Sequence, residues 1–259
     1  MMTKRHLLII ATVLASLVAM AQQKPDTLRV MSYNLHFGKD ATTDELAAQI
    51  KAQNPDFVAL QEVDIKTYRT YAQHQNGVDM LSELAMKTGM FGIFGRTINF
   101  AGGYYGIGIL SKYPCVESQC IPLPNPYQGE QRAMLKGVFH LDSGRDICLV
   151  STHLDVKKEE ARTEQVNFII DQLKQITLPV VIGGDFNAEP GSPAIDVAKN
   201  HLFSLTTDEP TFPVLNPTEK IDYLFSFNVK PEVLSMQVIA PGEKVNSDHR
   251  PVVSTIVIK

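Results

Sequence analysis

Residues 179–187 read PVVIGGDFN. A short run of β-branched residues, opened by Pro179 and closed by a glycine pair, predicts a buried strand over 179–183. That strand delivers Gly184-Asp185-Phe186-Asn187 at its end. Loops at strand ends are where a rigid scaffold displays reactive groups. An Asp-x-Asn in that position therefore marks the edge of a sheet as the place to look for chemistry.

Working outward, the same arrangement recurs. Residues 28–34 (LRVMSYN) predict a strand that runs through Ser32 and Tyr33 to Asn34. Residues 57–61 (FVALQ) predict another, followed at once by Glu62. A third ends Ser151-Thr152-His153, and Ser247-Asp248-His249 stands beside the last strand, 251–258 (PVVSTIVI). One strand ending in Asn or Glu is unremarkable. A whole set ending in Asn, Glu, His, Asp-x-Asn and Asp-His is not surface decoration.

The intervening sequence supplies helices. Thr42 and Glu45 form a capping box, Leu46, Ala47 and Ile50 follow at helical spacing, and Asn54-Pro55 stops the run. Residues 78–87 predict a second helix ended by Gly89. Residues 159–176 predict the best one, with Val166, Ile169, Ile170 and Leu173 on one face, and 192–199 a short one. From 91 to 150 the texture changes to FGIFG, GIGILS, IPLP, AMLKGVFH and DICLVS, separated by Gly and Pro, which suits antiparallel strands. A late strand is expected over 221–225. Two sheets packed together with helices outside would bury this many strands, so the order predicts one α/β domain over 22–259.

Composition agrees. The chain has 259 residues, 44% hydrophobic and 20% charged, with a formal net charge of −4. That excludes disordered and collagenous classes and argues against a protein that coats nucleic acid. Lys4, Arg5 and His6 precede an apolar run from Leu7 to Val18 and then Ala19-Met20-Ala21. This is the pattern of a secretory signal peptide, residues 1–21, cut after Ala21. The run is shorter than the roughly 20 residues a membrane span needs. Export to the periplasm or the extracellular space is therefore expected, with no transmembrane segment in the mature chain. Export makes one disulfide possible among Cys115, Cys120 and Cys148, with one thiol left over; burial as small apolar residues is the reading for at least one of them.

The residue types define the chemistry. Glu62 and the aspartates are hard oxygen donors suited to Mg²⁺, Mn²⁺ or Ca²⁺. Histidines beside carboxylates exchange protons or support charge on a phosphoryl oxygen. Asn34 and Asn187 can orient a water or donate to an oxyanion. No HExxH, no G-x-S-x-G elbow and no P-loop is present. The set points to hydrolysis by activated water, with a phosphoester as the best-fitting substrate.

Five blocks carry a resemblance: Met31-Ser32-Tyr33-Asn34, Leu60-Gln61-Glu62-Val63-Asp64, Gly184-Asp185-Phe186-Asn187, Ile221-Asp222-Tyr223 and Ser247-Asp248-His249-Arg250-Pro251. In this order they resemble the signatures of the endonuclease/exonuclease/phosphatase superfamily. That superfamily includes pancreatic deoxyribonuclease, abasic-site endonucleases, neutral sphingomyelinases and inositol-polyphosphate 5-phosphatases. The resemblance implies a four-layer α/β sandwich, with two mixed β-sheets face to face and helices on both outer faces.

It also implies roles. Glu62 resembles the principal Mg²⁺ ligand, with Asn34 beside it and Asp248 as a further acid near the metal. Asp185 resembles the residue that orients and deprotonates the attacking water, and Asn187 its partner. His249 resembles the histidine on the scissile phosphate, and Asp222 the carboxylate that fixes it. His153 matches the second histidine of the deoxyribonuclease and sphingomyelinase branches. Arg132 is a candidate for substrate phosphate, the alternative being a plain surface arginine. His36, His74, His140 and His201 are read as surface residues. An Asn that many relatives carry is absent from the block Tyr105-Gly106-Ile107-Gly108-Ile109, so no substrate contact is inherited there.

The expected activity is that of an exported, Mg²⁺-dependent phosphodiesterase. A DNA or RNA endonuclease and a catalytically silent binding module are the alternatives. A lipid headgroup, a small diester and nucleic acid are all candidate substrates. With no Trp and no Lys/Arg cluster, no stable nucleic-acid complex is expected. The chain is expected to be a monomer.

Overall fold

The structure, a computed structural model, describes residues 25–259. The expected signal peptide lies outside the described residues. At the centre of each of two sheets a parallel strand pair is joined by a helix. In the first sheet, β1 (Asp26–Asn34) and β2 (Phe57–Ile65) are linked through α1 (Thr43–Gln53). In the second, β7 (Asp146–His153) and β8 (Val180–Asp185) are linked through α3 (Glu159–Leu173). All other pairings are antiparallel, so both sheets are mixed.

The remaining elements are α2 (Met80–Thr88), β3 (Phe91–Phe100), β4 (Gly103–Ser111), β5 (Cys115–Pro122), β6 (Ala133–His140), α4 (Pro193–His201), β9 (Phe203–Ser204), β10 (Asp222–Phe227), β11 (Glu232–Val238) and β12 (Val252–Ile258). The six-stranded sheets have the orders β11-β12-β1-β2-β4-β3 and β5-β6-β7-β8-β10-β9. The two orders repeat one plan: an antiparallel pair, the parallel pair, then a second antiparallel pair docked by its later strand.

Strand alternation sorts the side chains into layers. Leu28 and Val30 face the seam between the sheets, together with Leu149, Val181 and Leu224. Met31 and Tyr33 face the other way, onto α1 and α2 with Leu46, Ile50 and Leu84. Val180, Ile182, Tyr223 and Phe225 pack against Val166, Ile169, Ile170 and Ile195 of α3 and α4. The result is the four-layer α/β sandwich, helices on both outer faces.

Helix ends follow local chemistry. The Thr42–Glu45 capping box is formed, and Asn54 closes α1 in the left-handed region. Gly89 does the same for α2 at φ 73°. α3 ends at Leu173, three residues short of the expected end. There Gln175 and Ile176 switch to i−3 carbonyl partners, and Asn228 Nδ2 takes the carbonyl of Ile176. Strand β2 runs past Gln61 to Ile65, and the half-exposed edge strand β11 has no counterpart in the sequence reading. Cys115 and Cys120 are partly buried thiols and Cys148 is a buried one.

Candidate active site

The seam turns polar toward one end. Moving along β1 on the seam side, Leu28 and Val30 give way to Ser32 and then Asn34. Ser32, Gln61 and Ser151 form a buried belt there, with Gln61 reaching both hydroxyls at 3.5 Å and Ser151 Oγ donating to the Leu60 carbonyl at 3.0 Å. Asn34, His153 and Asp185 are the next seam-facing positions, and β10 brings Asp222 opposite Asp185. One sandwich edge thus collects residues from four strands.

Glu62 joins them through a backbone irregularity. Leu60 pairs with Gly108 and Val63 with Gly106, so Gln61 and Glu62 together oppose Ile107. Two residues against one is a β-bulge, which re-aims side chains. Glu62 sits at φ 57°, a conformation that costs a non-glycine residue about 1–2 kcal/mol. In return both Gln61 and Glu62 address the seam, which a regular strand forbids. Asn34 Nδ2 donates to Glu62 Oε1 at 3.1 Å and to Asp185 Oδ2 at 3.0 Å. Its Oδ1 accepts from the His36 N–H at 3.0 Å. Asn34 is therefore a bridge that holds two carboxylates near each other.

Asp185 is buried at the meeting point. His153 Nε2 lies 3.5 Å and His249 Nε2 3.7 Å from its Oδ2. The Asn187 N–H donates to its Oδ1 at 2.9 Å, from a left-handed residue (φ 48°) of a type that tolerates that region. Asn187 Nδ2 donates to the Leu154 carbonyl at 3.1 Å. Burial above all pushes the Asp185 carboxyl up to about 7, with Asp222 adding to the rise. His249 Nδ1 meets Asp222 Oδ2 at 3.0 Å. Burial opposes charge on the His249 ring, but Asp222 and Asp185 overcome it and hold its pKa at about 10. Asp185, Asp222 and His249 place donor atoms within 4.8 Å of one another.

The structure brings Asn34, Glu62, His153, Asp185, Asn187, Asp222, Asp248 and His249 to this edge. Asp248 is partly exposed, 4.0 Å from His249 Nε2. Arg132 is buried rather than on the surface, and its Nη1 lies 3.1 Å from His153 Nδ1.

His36 corrects the sequence reading: it is partly buried, 2.7 Å from Asp40 and 3.4 Å from Asp248. His36 and Phe37 are consecutive left-handed residues (φ 46° and 43°), fixed by the Arg69 guanidinium 3.9 Å above the Phe37 ring. Arg69 in turn is paired with buried Asp64 at 2.6 Å. The adjacency of His36 to Asn34 in sequence was the available signal, since a strand-end residue and its neighbour share one loop. Among the described residues, His74, His140 and His201 are exposed.

The donor set fits a hard divalent cation. Glu62 has no Lys or Arg ion-pair partner among the described residues, and burial pushes its carboxyl pKa up despite the hydrogen bond from Asn34. A carboxylate held in that state, with Asp248 and His36 close by, is completed by a positive charge with oxygen preference.

The sequence profile of the Endonuclease/Exonuclease/phosphatase family matches residues 31–249. The chain belongs to that family. No curated protein matches the chain. Among solved structures it is similar to an endonuclease/exonuclease/phosphatase from Bacteroides vulgatus, at 22% identity and TM-score 0.74, covering 90% of this chain and 100% of that one. It is also similar to the human Nocturnin catalytic domain with bound sulfate, at 22% identity, TM-score 0.68 and coverage of 90% and 97%. A third is a mannosyl-6-phosphatase of Bacteroides thetaiotaomicron, at 20% identity, TM-score 0.69 and coverage of 90% and 100%.

Proposed function

We propose that this chain is a Mg²⁺-dependent phosphoester hydrolase, acting on a phosphodiester by attack of water. The observation that carries the reading is the convergence of both histidine Nε2 atoms on Asp185 Oδ2, at 3.5 and 3.7 Å. These three groups set side by side a base for the attacking water and two donors for the phosphoryl oxygens. Asp185 orients that water and takes its proton as the new P–O bond forms; the opposite P–O bond breaks in line, and the departing alkoxide keeps the bond pair and takes a proton from solvent. The Asn187 N–H fixes the Asp185 carboxylate by its other oxygen. His249, held by Asp222, meets the phosphoryl oxygen as a cation, and His153 meets another. Glu62 and Asp248 would hold the cation, with Asn34 orienting Glu62. When bound, that cation supplies neutralisation of charge on the phosphoryl and leaving oxygens.

A silent binding module is disfavoured because Asp185, Asn187 and His249 are all present and converge. The presence of His153 favours a diester over a monoester. Nuclease activity is the second reading, though no Lys/Arg cluster tracks a phosphate backbone. The test is a hydrolysis panel of aryl diesters, sphingomyelin, inositol phosphates, nucleic acids and a sugar phosphate, the last because a structural relative is a mannosyl-6-phosphatase. Each is run with chelator and with Mg²⁺ or Mn²⁺. No turnover of any of them with either cation would overturn the reading.

Residues 22–259 are read as one exported domain, released after Ala21. Among the described residues no helix is long and apolar enough to cross a membrane. Amino-terminal sequencing of the protein from fractionated cells checks this. A chain starting at Gln22 outside the cytoplasm is expected; an intact Met1 in the soluble cytoplasmic fraction would refute it.

A further inference from the structure

His153 and His249 both aim Nε2 at Asp185, but the groups behind their Nδ1 atoms are opposite in kind. Behind His249 stands the Asp222 carboxylate, which only accepts. Behind His153 stands Arg132, 5% exposed, with Nη1 at 3.1 Å from His153 Nδ1 and 2.8 Å from Glu130 Oε1. A guanidinium carries five N–H donors, has no acceptor and stays charged. The hydrogen between Arg132 and His153 therefore belongs to Arg132, and Nδ1 presents its lone pair. A proton on Nδ1 would set N–H against N–H inside a buried pocket. The proton of the neutral ring is left to Nε2, the nitrogen that faces Asp185.

We infer that Arg132 is a positioning residue that fixes His153 as the neutral Nε2–H tautomer, a hydrogen-bond donor aimed at a phosphoryl oxygen beside Asp185. The two histidines are then not equivalent. His249 donates as a cation made by Asp222, and His153 donates as a neutral ring made by Arg132. Burial first, and then the positive charges of Arg132 and His249, hold the His153 pKa well below the ordinary imidazole value. The groups that face this ring are Arg132, Asp185 and His249, with Glu130 balancing Arg132 from behind. Arg132 Nε is buried without a partner among the described residues, while Nη1 meets both His153 and Glu130. The inference rests on the hydrolase reading only for what Nε2–H faces, since the tautomer is a property of the free protein.

The experiment is imidazole ¹⁵N NMR on the folded full-length chain, labelled at histidine and assigned by His153→Gln. The expected spectrum has His153 protonated at Nε2 and bare at Nδ1, unchanged across about pH 5 to 8, where an ordinary imidazole titrates. An Nδ1–H ring, or an imidazolium that titrates in that window, would overturn the inference. This measurement needs no Arg132 variant and no substrate, so a chain that hydrolyses nothing would defeat the hydrolase reading alone.

Kinetics supply the coupling. Arg132→Met should lower kcat about tenfold or more with a smaller change in KM, and Arg132→Lys, which keeps a donor, should recover part of it. Gln at position 153 offers an amide nitrogen near the Nε2 position and has no tautomer to fix. In the His153→Gln background Arg132→Met should therefore cost under about threefold. Equal losses in both backgrounds would show that Arg132 does not act through His153.

Discussion

His249 Nδ1 stands 3.0 Å from Asp222 Oδ2, and the other oxygen of that carboxylate is buried without a partner among the described residues. A carboxylate committed to one ring nitrogen makes the pair a single device: Asp222 sets the tautomer, the orientation and the charge, and His249 carries them to the phosphate. His249→Ala and Asp222→Asn should each lower kcat by about 10²- to 10⁴-fold, the range of a lost acid–base group. The double variant should be little worse than the worse single one. Independent multiplication of the two losses would place Asp222 elsewhere in the mechanism.

Glu62 owes its place to the bulge, so its substitution tests the cation reading without a change in volume. Glu62→Gln should leave the circular dichroism spectrum unchanged and raise the Mg²⁺ concentration needed for half-maximal activity by about tenfold or more, since a charged oxygen ligand becomes neutral. Isothermal titration with Mg²⁺ should show the same weakening without substrate. Unchanged Mg²⁺ dependence in both measurements would remove Glu62 from the cation's shell.

What the sequence carried and what it hid have physical reasons. Strand cores show as apolar runs, and GDFN or SDH stands out because polar residues of one narrow type follow them. The layer plan was legible only from the number of strands and the resemblance of the five blocks, because β1 is buried on both faces toward its end and shows no alternation there. The bulge was not legible, because Gln61-Glu62-Val63 reads like any strand end, and only the pairing with Gly106 and Gly108 shows the extra residue. His36 was hidden because its position depends on two left-handed residues, neither of them glycine. The Arg132–His153 contact joins the lead-in to β6 with the end of β7, across a hairpin whose register no short pattern specifies. Strand β11 escaped because an edge strand exposed along much of its length lacks the apolar run that marks a core strand.

Gly183 fixes how closely the sheets approach behind the site. A Cβ there would lie 2.7 Å from Ala59 Cβ and 3.2 Å from Ser32 Cβ, across the seam. Gly183→Ala should destabilise the fold by about 1–3 kcal/mol, the usual cost of overpacking a core. Urea unfolding measures it. The same methyl pushes β8 from β1, so the Asn34–Asp185 hydrogen bond should loosen and kcat fall even where the variant is fully folded. Wild-type stability and kcat together would mean that the seam yields at no cost.

The pH profile follows from the two shifted groups. Asp185 must be ionised to take a proton from water; burial raises its carboxyl to about 7, so activity should grow as pH rises through that value. His249 must be charged to support the phosphoryl oxygen. Its pKa stands at about 10, where Asp222 and Asp185 hold it against burial, so that contribution is complete well below 10 and is lost as pH rises through it. The expected profile of kcat/KM is a bell with its top between the two. Asp222→Asn removes a negative charge that raises both values. Both limbs should therefore move to lower pH, the basic limb further because it also loses the Asp222 hydrogen bond. The variant's residual activity, measured at saturating Mg²⁺ across the whole range, decides the matter. A basic limb that stays in place in Asp222→Asn would mean that some group other than His249 sets it.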